Sequence, residues 1–280
     1  MMMEQLLKTK GGDSFIVRIG SGEPLVVLHG GLGLDHSGFR PYLDALSDQF
    51  EVVYVDLLGN GRSGHLPDEF ETDHSIWVNQ INAICDVLGF EKIFLLGHSH
   101  GGVIAQRFAL AHPDRLKGLI LSATGPSFDH VETVMKNLVE ISTPEQFEIY
   151  TTQIFIEQPD DETWAKRWRK VMPLYFATPP SEEFLDARHA KTVHRAEGFN
   201  ACILHVPNFD VRGRLHEVLA PTLVIGGSKD FCFPEEVGPG LLAKLIPNAK
   251  LLMLKNSGHN PYSEEPDAFV EGVRSFASQI

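Results

Sequence analysis

The sequence predicts an α/β architecture: a mostly parallel central sheet with helices on both faces and an inserted helical cap. Three observations carry this prediction. Short, wholly apolar runs such as "PLVVLHG" (24–30) and "KIFLLG" (92–97) alternate with amphipathic stretches, and unbroken apolar strands belong to sheets buried on both faces. The alternation stops after Thr124 and resumes near Leu215. The stretch between is rich in Trp, Phe, Glu and Lys, is broken by prolines and has no strand-like run, so it reads as helices laid over the sheet.

The elements follow in order. "SFIVRIG" (14–20) reads as an edge strand after the Gly11-Gly12 turn. "PLVVLHG" is a strand ending in glycine, and "FRPYLDALSDQF" (39–50) has helical periodicity. "EVVYVDLLGNG" (51–61) is a strand and its loop, and "HSIWVNQINAICDVLGF" (74–90) an amphipathic helix closed near Gly89. "KIFLLG" and "LKGLILSAT" (116–124) are strands on either side of the helix "GVIAQRFALAHPDR" (102–115). After the insertion come the strands in "APTLVIGG" (220–227) and "AKLLMLKN" (249–256), with helices in "EEVGPGLLAKLIP" (235–247) and "EPDAFVEGVRSFA" (265–277). The expected organisation is core over 1–124, helical cap over 125–214 and core again over 215–280.

Composition narrows the function. A net charge of −13 and a pI near 5.4 argue against nucleic acid or an anionic membrane as partner, since both need clustered Lys and Arg. The basic run "KRWRK" (166–170) reads as a solvated helix face. Three widely spaced cysteines, Cys85, Cys202 and Cys232, suggest a reducing compartment without a disulfide framework. The start "MMMEQLLKTKGGDS" has no signal-peptide pattern, and no apolar run approaches the ~18 residues of a membrane span. The expectation is a cytoplasmic protein with a small-molecule partner.

The chemistry centres on "GHSHG" (97–101), a G-x-S-x-G motif between an apolar strand and a helix. A serine at the tip of so sharp a turn takes a strained backbone, and Gly97 and Gly101 clear space that bulkier neighbours would occupy. The helix start beneath it favours nearby negative charge. A nucleophilic serine also needs a base, an orienting acid and donors for an oxyanion. "NSGHNPYSEEP" (256–266) offers His259 as base, and "GGSKDFCFP" (226–234) offers Asp230 as acid, with Asp129 as its rival. "LVVLHGGLG" (25–33) ends a strand in glycines, so the Gly31 and His100 amides are the expected oxyanion donors. The rings of His29, His98 and His100 are expected to shape the pocket, while His189, His194 and His205 fall in the cap as surface or pocket wall. Asp56 and Arg62 read as a structural loop pair. Phe176, Phe199 and Phe231 suggest an apolar acyl site. Trp164, Trp168 and Tyr175 read first as packing residues and Cys232 as a small buried filler. No H-E-x-x-H, paired-Cys spacing, compact His/Asp cluster or G-x-G-x-x-G is visible, so neither a metal nor a nucleotide cofactor is expected.

Taken together, the turn at Ser99, "HGGLG" and the order Ser, Asp, His with a cap-sized gap before the Asp resemble the α/β-hydrolase fold superfamily over essentially the whole chain. Through "HGGLG", "GNGRS" (59–63) and the cap placement, the chain resembles more loosely the proline iminopeptidase-like branch with its esterase and lactonase relatives. The resemblance implies a cofactor-free serine hydrolase. Those peptidases usually carry HGGPG and G-G-S-W-G, and hold the substrate's free amine with glutamates, one often just after the catalytic Asp. Here Phe231 stands at that place, leaving Glu197 as the substitute. The expected function is hydrolysis of a small, mainly apolar ester or lactone. The alternatives are an iminopeptidase-like aminopeptidase and a ligand receptor on a hydrolase scaffold.

Overall fold

The chain was analysed as a computed structural model, which describes residues 2–31, 33–67, 74–203 and 208–280; His205 lies outside them. Each apolar run forms a strand. In chain order the strands are β1 (Met3–Thr9), β2 (Gly12–Gly20), β3 (Glu23–Leu28), β4 (Phe50–Val55), β5 (Ile93–His98), β6 (Leu116–Ser122), β7 (Thr222–Gly227) and β8 (Ala249–Leu254). Among the described residues these strands make one sheet in the order β1-β2-β4-β3-β5-β6-β7-β8. The β1–β2 and β2–β4 pairings are antiparallel and those from β4 to β8 parallel.

Two expectations need correction here. "SFIVRIG" is not the edge strand: β1 pairs along it in a hairpin from Met3↔Arg18 to Thr9↔Gly12. The sequence hides β1 because its residues are exposed or half-buried, so hydrogen bonding to β2 rather than burial holds it in place. "FRPYLDALSDQF" forms not an α-helix but two tighter 3₁₀ turns, His36–Phe39 and Tyr42–Asp48. Pro41 between them has no N–H to donate and its ring would clash with a preceding helical turn.

The strands alternate between two cores. Val26, Val53, Leu95 and Leu119 pack towards α1 (Ser75–Leu88) and α2 (His100–Ala111). Leu25, Val52, Leu96 and Ile120 face the opposite side, with Phe269 and Val273 of the C-terminal helix Pro266–Ala277. This is why the strand sequences are apolar without interruption.

Between β6 and β7 the described helices are α3 (Val131–Ile141), α4 (Pro144–Ile149), α5 (Asp161–Val171), α6 (Glu182–Lys191) and α7 (Ala196–Ile203). Side-chain caps set their starts: Thr143 and Gln146 form a reciprocal capping box, and Asp160 and Ser181 cap α5 and α6. Leu138, Trp164, Val171 and Phe199 form a third cluster with Phe231, which follows β7. The basic run lies on α5, where Lys166, Arg169 and Lys170 pair with Glu162, Asp186 and Glu145. The chain closes with α8 (Pro239–Leu245), α9 (Pro261–Glu264) and α10 (Pro266–Ala277). Among the described residues no helix is long and apolar enough to cross a membrane.

The strand order also places the site. From β3 the chain moves to β4 on one side and returns to β5 on the other, so the connections diverge between β3 and β5. A crevice opens at the carboxyl ends of strands where this happens. His29–Gly31 and Ser99 follow those two strand ends.

Candidate active site

Ser99 forms the whole of the turn between β5 and α2, with φ +54° and ψ −118°. Its amide is anchored to the Ser122 carbonyl at 2.9 Å. The flanking glycines are steric requirements. A Cβ on Gly97 would lie 2.3 Å from the Gly101 carbonyl oxygen, and one on Gly101 would lie 2.5 Å from that of Leu28. A strained serine held so firmly presents its hydroxyl rather than relaxing into the helix.

The hydroxyl meets two residues distant in sequence. Ser99 Oγ lies 2.9 Å from His259 Nε2, and His259 Nδ1 lies 2.8 Å from Asp230 Oδ2. A carboxylate can only accept, so Nδ1 carries the ring proton and Nε2 is left to accept from the serine. Asp230 is oriented in turn by the amides of Cys232 and Phe233, which donate to Oδ1 at 2.9 and 3.2 Å. Asp230 and His259 are both buried.

Two supports flank the pair, of which the sequence singles out only the His98 ring. Glu264 on α9 accepts from the amides of Gly258 and Asn260, on either side of His259, and from Ala177. Burial raises the Glu264 carboxyl above its ordinary range, against the pull of those amides. The His98 ring lies 5.1 Å from that of His259, and its pKa falls well below 6.5 through burial and then through His259 itself. The residue is therefore a neutral wall beside the pair. A glutamate near a turn carries no distinctive sequence signal, whereas His98 lines the pocket as its strand-end position led one to expect.

The arrangement opens into a cavity of about 660 Å³. Gly31, Ser99 and His259 line it from the strand ends, and Met135, Trp164 and Phe199 from the intervening helices. Gly31 has φ +72°, a conformation glycine adopts without strain. His29 fixes that loop, its Nε2 accepting from the Leu57 amide at 3.1 Å. The cavity contains both the Gly31 and His100 positions.

The remaining expectations divide. Phe176 and Phe199 line the cavity, but Phe231 is not among the described residues that do. The Cys232 and Phe233 amides turn in to Asp230, and the Phe231 ring packs edge-on to Tyr150 and Tyr175. Cys232, read first as buried filler, both packs against the third cluster and reaches the wall, and burial lifts its thiol pKa well above the ordinary value. Trp164, Trp168 and Tyr175 both pack together and face the cavity. Asp129 points to solvent, accepting from Ser127 and pairing with Arg212 at 2.7 Å. Glu197 is engaged by Arg195, His65 and the Leu66 amide, and is not among the described lining residues. The Asp56–Arg62 pair is looser than expected: only the Arg62 amide reaches Asp56, while its guanidinium pairs with Asp35 at 3.1 Å. His189 and His194 pair with each other and are not among the described lining residues.

Two clusters of possible metal donors, Asp35–His36–Asp56 and Asp230–Cys232–His259, each gather atoms within 4.8 Å. The sequence showed no such cluster because their members come from separate segments. In both, hydrogen bonds and ion pairs already engage the carboxylates: Arg62 and His36 in the first, His259 and two amides in the second.

Comparison with known proteins agrees with this geometry. A family model described as alpha/beta hydrolase fold matches residues 23–266. A proline iminopeptidase, PfmaB, from Pestalotiopsis fici is 32% identical, over 90% of this chain and 91% of its own length. A pimeloyl-[acyl-carrier protein] methyl ester esterase from Shewanella woodyi is 27% identical, over 95% of this chain and 98% of its own. Among solved structures, an esterase from Exiguobacterium antarcticum superposes with a TM-score of 0.77 at 22% identity, covering 99% of this chain and 100% of that one, a likeness of fold. With a fold-family model spanning most of the chain and a relative above 30% identity along nearly all of it, the protein belongs to the α/β-hydrolase fold family and is a hydrolase.

Proposed function

We propose that this hydrolase cleaves a small, mainly apolar carboxylic ester or lactone through an acyl-enzyme on Ser99. The observation that carries this reading is the continuous hydrogen-bonded line Asp230–His259–Ser99, opening into a largely apolar cavity. Ser99 Oγ attacks the carbonyl carbon as His259 Nε2 takes its proton, and Asp230 holds the imidazolium that forms. The Gly31 and His100 amides receive the oxyanion, at the start of a helix whose dipole favours negative charge. The tetrahedral adduct collapses by breaking the bond to the alkoxy group, which leaves as the alcohol with the proton from His259. Water, deprotonated by the same imidazole, then releases the acid and restores the serine. Residues 125–214 serve as the cap that keeps bulk water from the acyl-enzyme.

The names of several relatives favour a second reading, an aminopeptidase acting on short peptides. That reading needs a carboxylate for the substrate's ammonium, and Glu197 is already engaged by Arg195 and His65. Turnover of a panel of p-nitrophenyl esters, lactones and aminoacyl anilides tests the two. A protein that labels with a fluorophosphonate at Ser99 yet turns over none of the panel would count against both and towards a receptor.

A further inference from the structure

Among the described residues, Arg188 is a cation on the cavity wall without a charge partner. Nine arginines of the chain lie within ion-pair distance of a carboxylate. Arg188, on α6, is different: it lines the cavity, and among the described residues no carboxylate lies within ion-pair distance of it. Its Nη2 donates to the Tyr262 hydroxyl at 2.7 Å and reaches Asn260 Oδ1 at 3.4 Å. Both acceptors are neutral. Its guanidinium carbon lies 5.6 Å from the Phe176 ring and 5.9 Å from the Tyr262 ring, so aromatic surfaces set its orientation. Neither Nη1 nor Nε has a hydrogen-bond partner among the described residues.

The surroundings preserve this state. Asp35 is the one carboxylate among the described lining residues, and its oxygens take Arg62, the Val193 amide and both donors of Ser37. His98, Tyr262 and Asn260 add no negative charge. Space is kept at the guanidinium as well: a Cβ on Gly38, another lining residue, would come 2.8 Å from Nη2. Asn260, which helps hold Arg188, directly follows His259, so the fork is tied to the loop that carries the base.

We propose that Arg188 is an anion subsite and that the substrate carries a carboxylate at the end of its otherwise apolar body. A carboxylate completes a planar fork whose remaining donors have no acceptor among the described residues, and it supplies a negative charge that Asp35, engaged elsewhere, does not. A neutral ester of the same length leaves a half-buried guanidinium unpaired, at a cost. The inference rests on the serine-hydrolase reading and narrows its substrate class.

The test is a ladder of p-nitrophenyl monoesters of succinate, glutarate and adipate, each beside its neutral counterpart: butyrate, valerate and hexanoate. At one chain length or more the anionic ester should have a kcat/KM about tenfold above its neutral partner, the gain expected of a charged hydrogen-bonded pair. That ratio should fall with added salt and collapse towards one in Arg188→Gln. Arg188→Lys, which keeps the charge but not the fork, should hold an intermediate ratio and covers the case in which the Gln variant does not fold. No preference for the anion at any length, or a preference that survives Arg188→Gln, overturns the proposal. If none of the six esters is hydrolysed, the ester reading fails by itself, and calorimetry with adipate and glutarate then decides on Arg188. Binding by the wild type that is lost in Arg188→Gln sustains the subsite, and absence of binding removes it.

Discussion

The Oδ2 atom of Asp230 lies 2.8 Å from Nδ1 of His259, while its Oδ1 accepts from the Cys232 and Phe233 amides. The backbone thus fixes which oxygen faces the imidazole. In Asp230→Asn, Oδ1 must remain an acceptor for those amides, so the new NH₂ group faces Nδ1. The ring then carries its proton on Nε2, where it cannot accept from Ser99. The expected result is a fall in kcat on the order of 10⁴, with the fold intact by circular dichroism. Asp129→Asn, a change at a solvent-facing ion pair with Arg212, should leave kcat within about twofold, a difference of a few tenths of a kcal/mol. The opposite pattern would move the acid to the end of β6.

Ser99→Ala should lose both fluorophosphonate labelling and ester turnover. Alanine meets the same positive φ as serine, so the turn is strained equally in both proteins and stability should barely change. Residual catalysis of ~10³ over water can persist from the oxyanion donors. Turnover close to wild type would exclude Ser99 as the nucleophile.

Packing around the turn gives a stability contrast. A Cβ at Gly101 would come within 2.5 Å of the Leu28 carbonyl oxygen and 2.6 Å of that of His29, both backbone atoms of a central strand and its loop. Neither can retreat without opening the sheet or lifting α2. Gly101→Ala should therefore destabilise by at least the ~1–3 kcal/mol typical of overpacking, read from urea unfolding. Gly213→Ala, where nothing lies within 4 Å, should stay within about 0.5 kcal/mol. Equal midpoints for the two variants would contradict this packing argument.

Legibility in the sequence followed physical range. Ser99, its glycines and the two-faced strands were readable because strain, burial and capping are local and leave a residue-type signature. Asp230 and His259 were readable as loop residues after late strands, although the hydrogen bonds joining them are made only by the sheet. Phe231 was misplaced because its ring packs edge-on to Tyr150 and Tyr175, contacts between distant segments that residue type does not encode. The strand β1 was missed because its support is pairing with β2 rather than an apolar face. Glu264, Arg188 and the salt-bridged Asp35 depend on contacts between segments far apart in the chain.

The His189–His194 pair makes an acid-sensitive joint between α6 and the segment before α7. Their ring centroids are 4.6 Å apart, and His189 Nδ1 and His194 Nε2 are buried without hydrogen-bond partners among the described residues. Burial, followed by the neighbouring His189, pushes the His194 pKa from 6.5 down to about 4. The unfolded chain thus takes up this proton near pH 6.5 and the folded chain only near pH 4. Between those values the unfolded state binds more protons, so stability falls as pH drops from 6.5 towards 4 and this contribution is flat above 7. His194→Gln should lose less Tm than wild type between pH 7.5 and pH 5 by thermal unfolding. Because burial also lowers the pKa of His29 and His98, only the difference between the two proteins is assigned to His194. An identical fall in both would remove His194 from the acid response.

The last prediction concerns the choice between ester and aminoacyl substrates. An aminoacyl anilide brings an ammonium into a largely apolar cavity, and a buried charge without a partner costs several kcal/mol. Among the described residues, three carboxylates at or near the cavity are already engaged. Glu197 pairs with Arg195 and His65, Asp35 with Arg62, and Asp230 with His259. Arg188 adds a positive charge to the same wall, so an ammonium close to it is repelled. An acyl ester or lactone needs only the apolar surface of Phe176, Phe199 and Trp164, which the cavity provides. At one pH, short or medium acyl esters or lactones should therefore exceed prolyl and alanyl anilides in kcat/KM by about 10² or more, the factor that corresponds to ~3 kcal/mol of differential transition-state binding. The measurement is a side-by-side kinetic comparison on one enzyme preparation. If prolyl anilide is the better substrate, the aminopeptidase reading replaces the esterase one, and Glu197→Gln becomes the first variant to make, because freeing that carboxylate from Arg195 is then part of substrate binding.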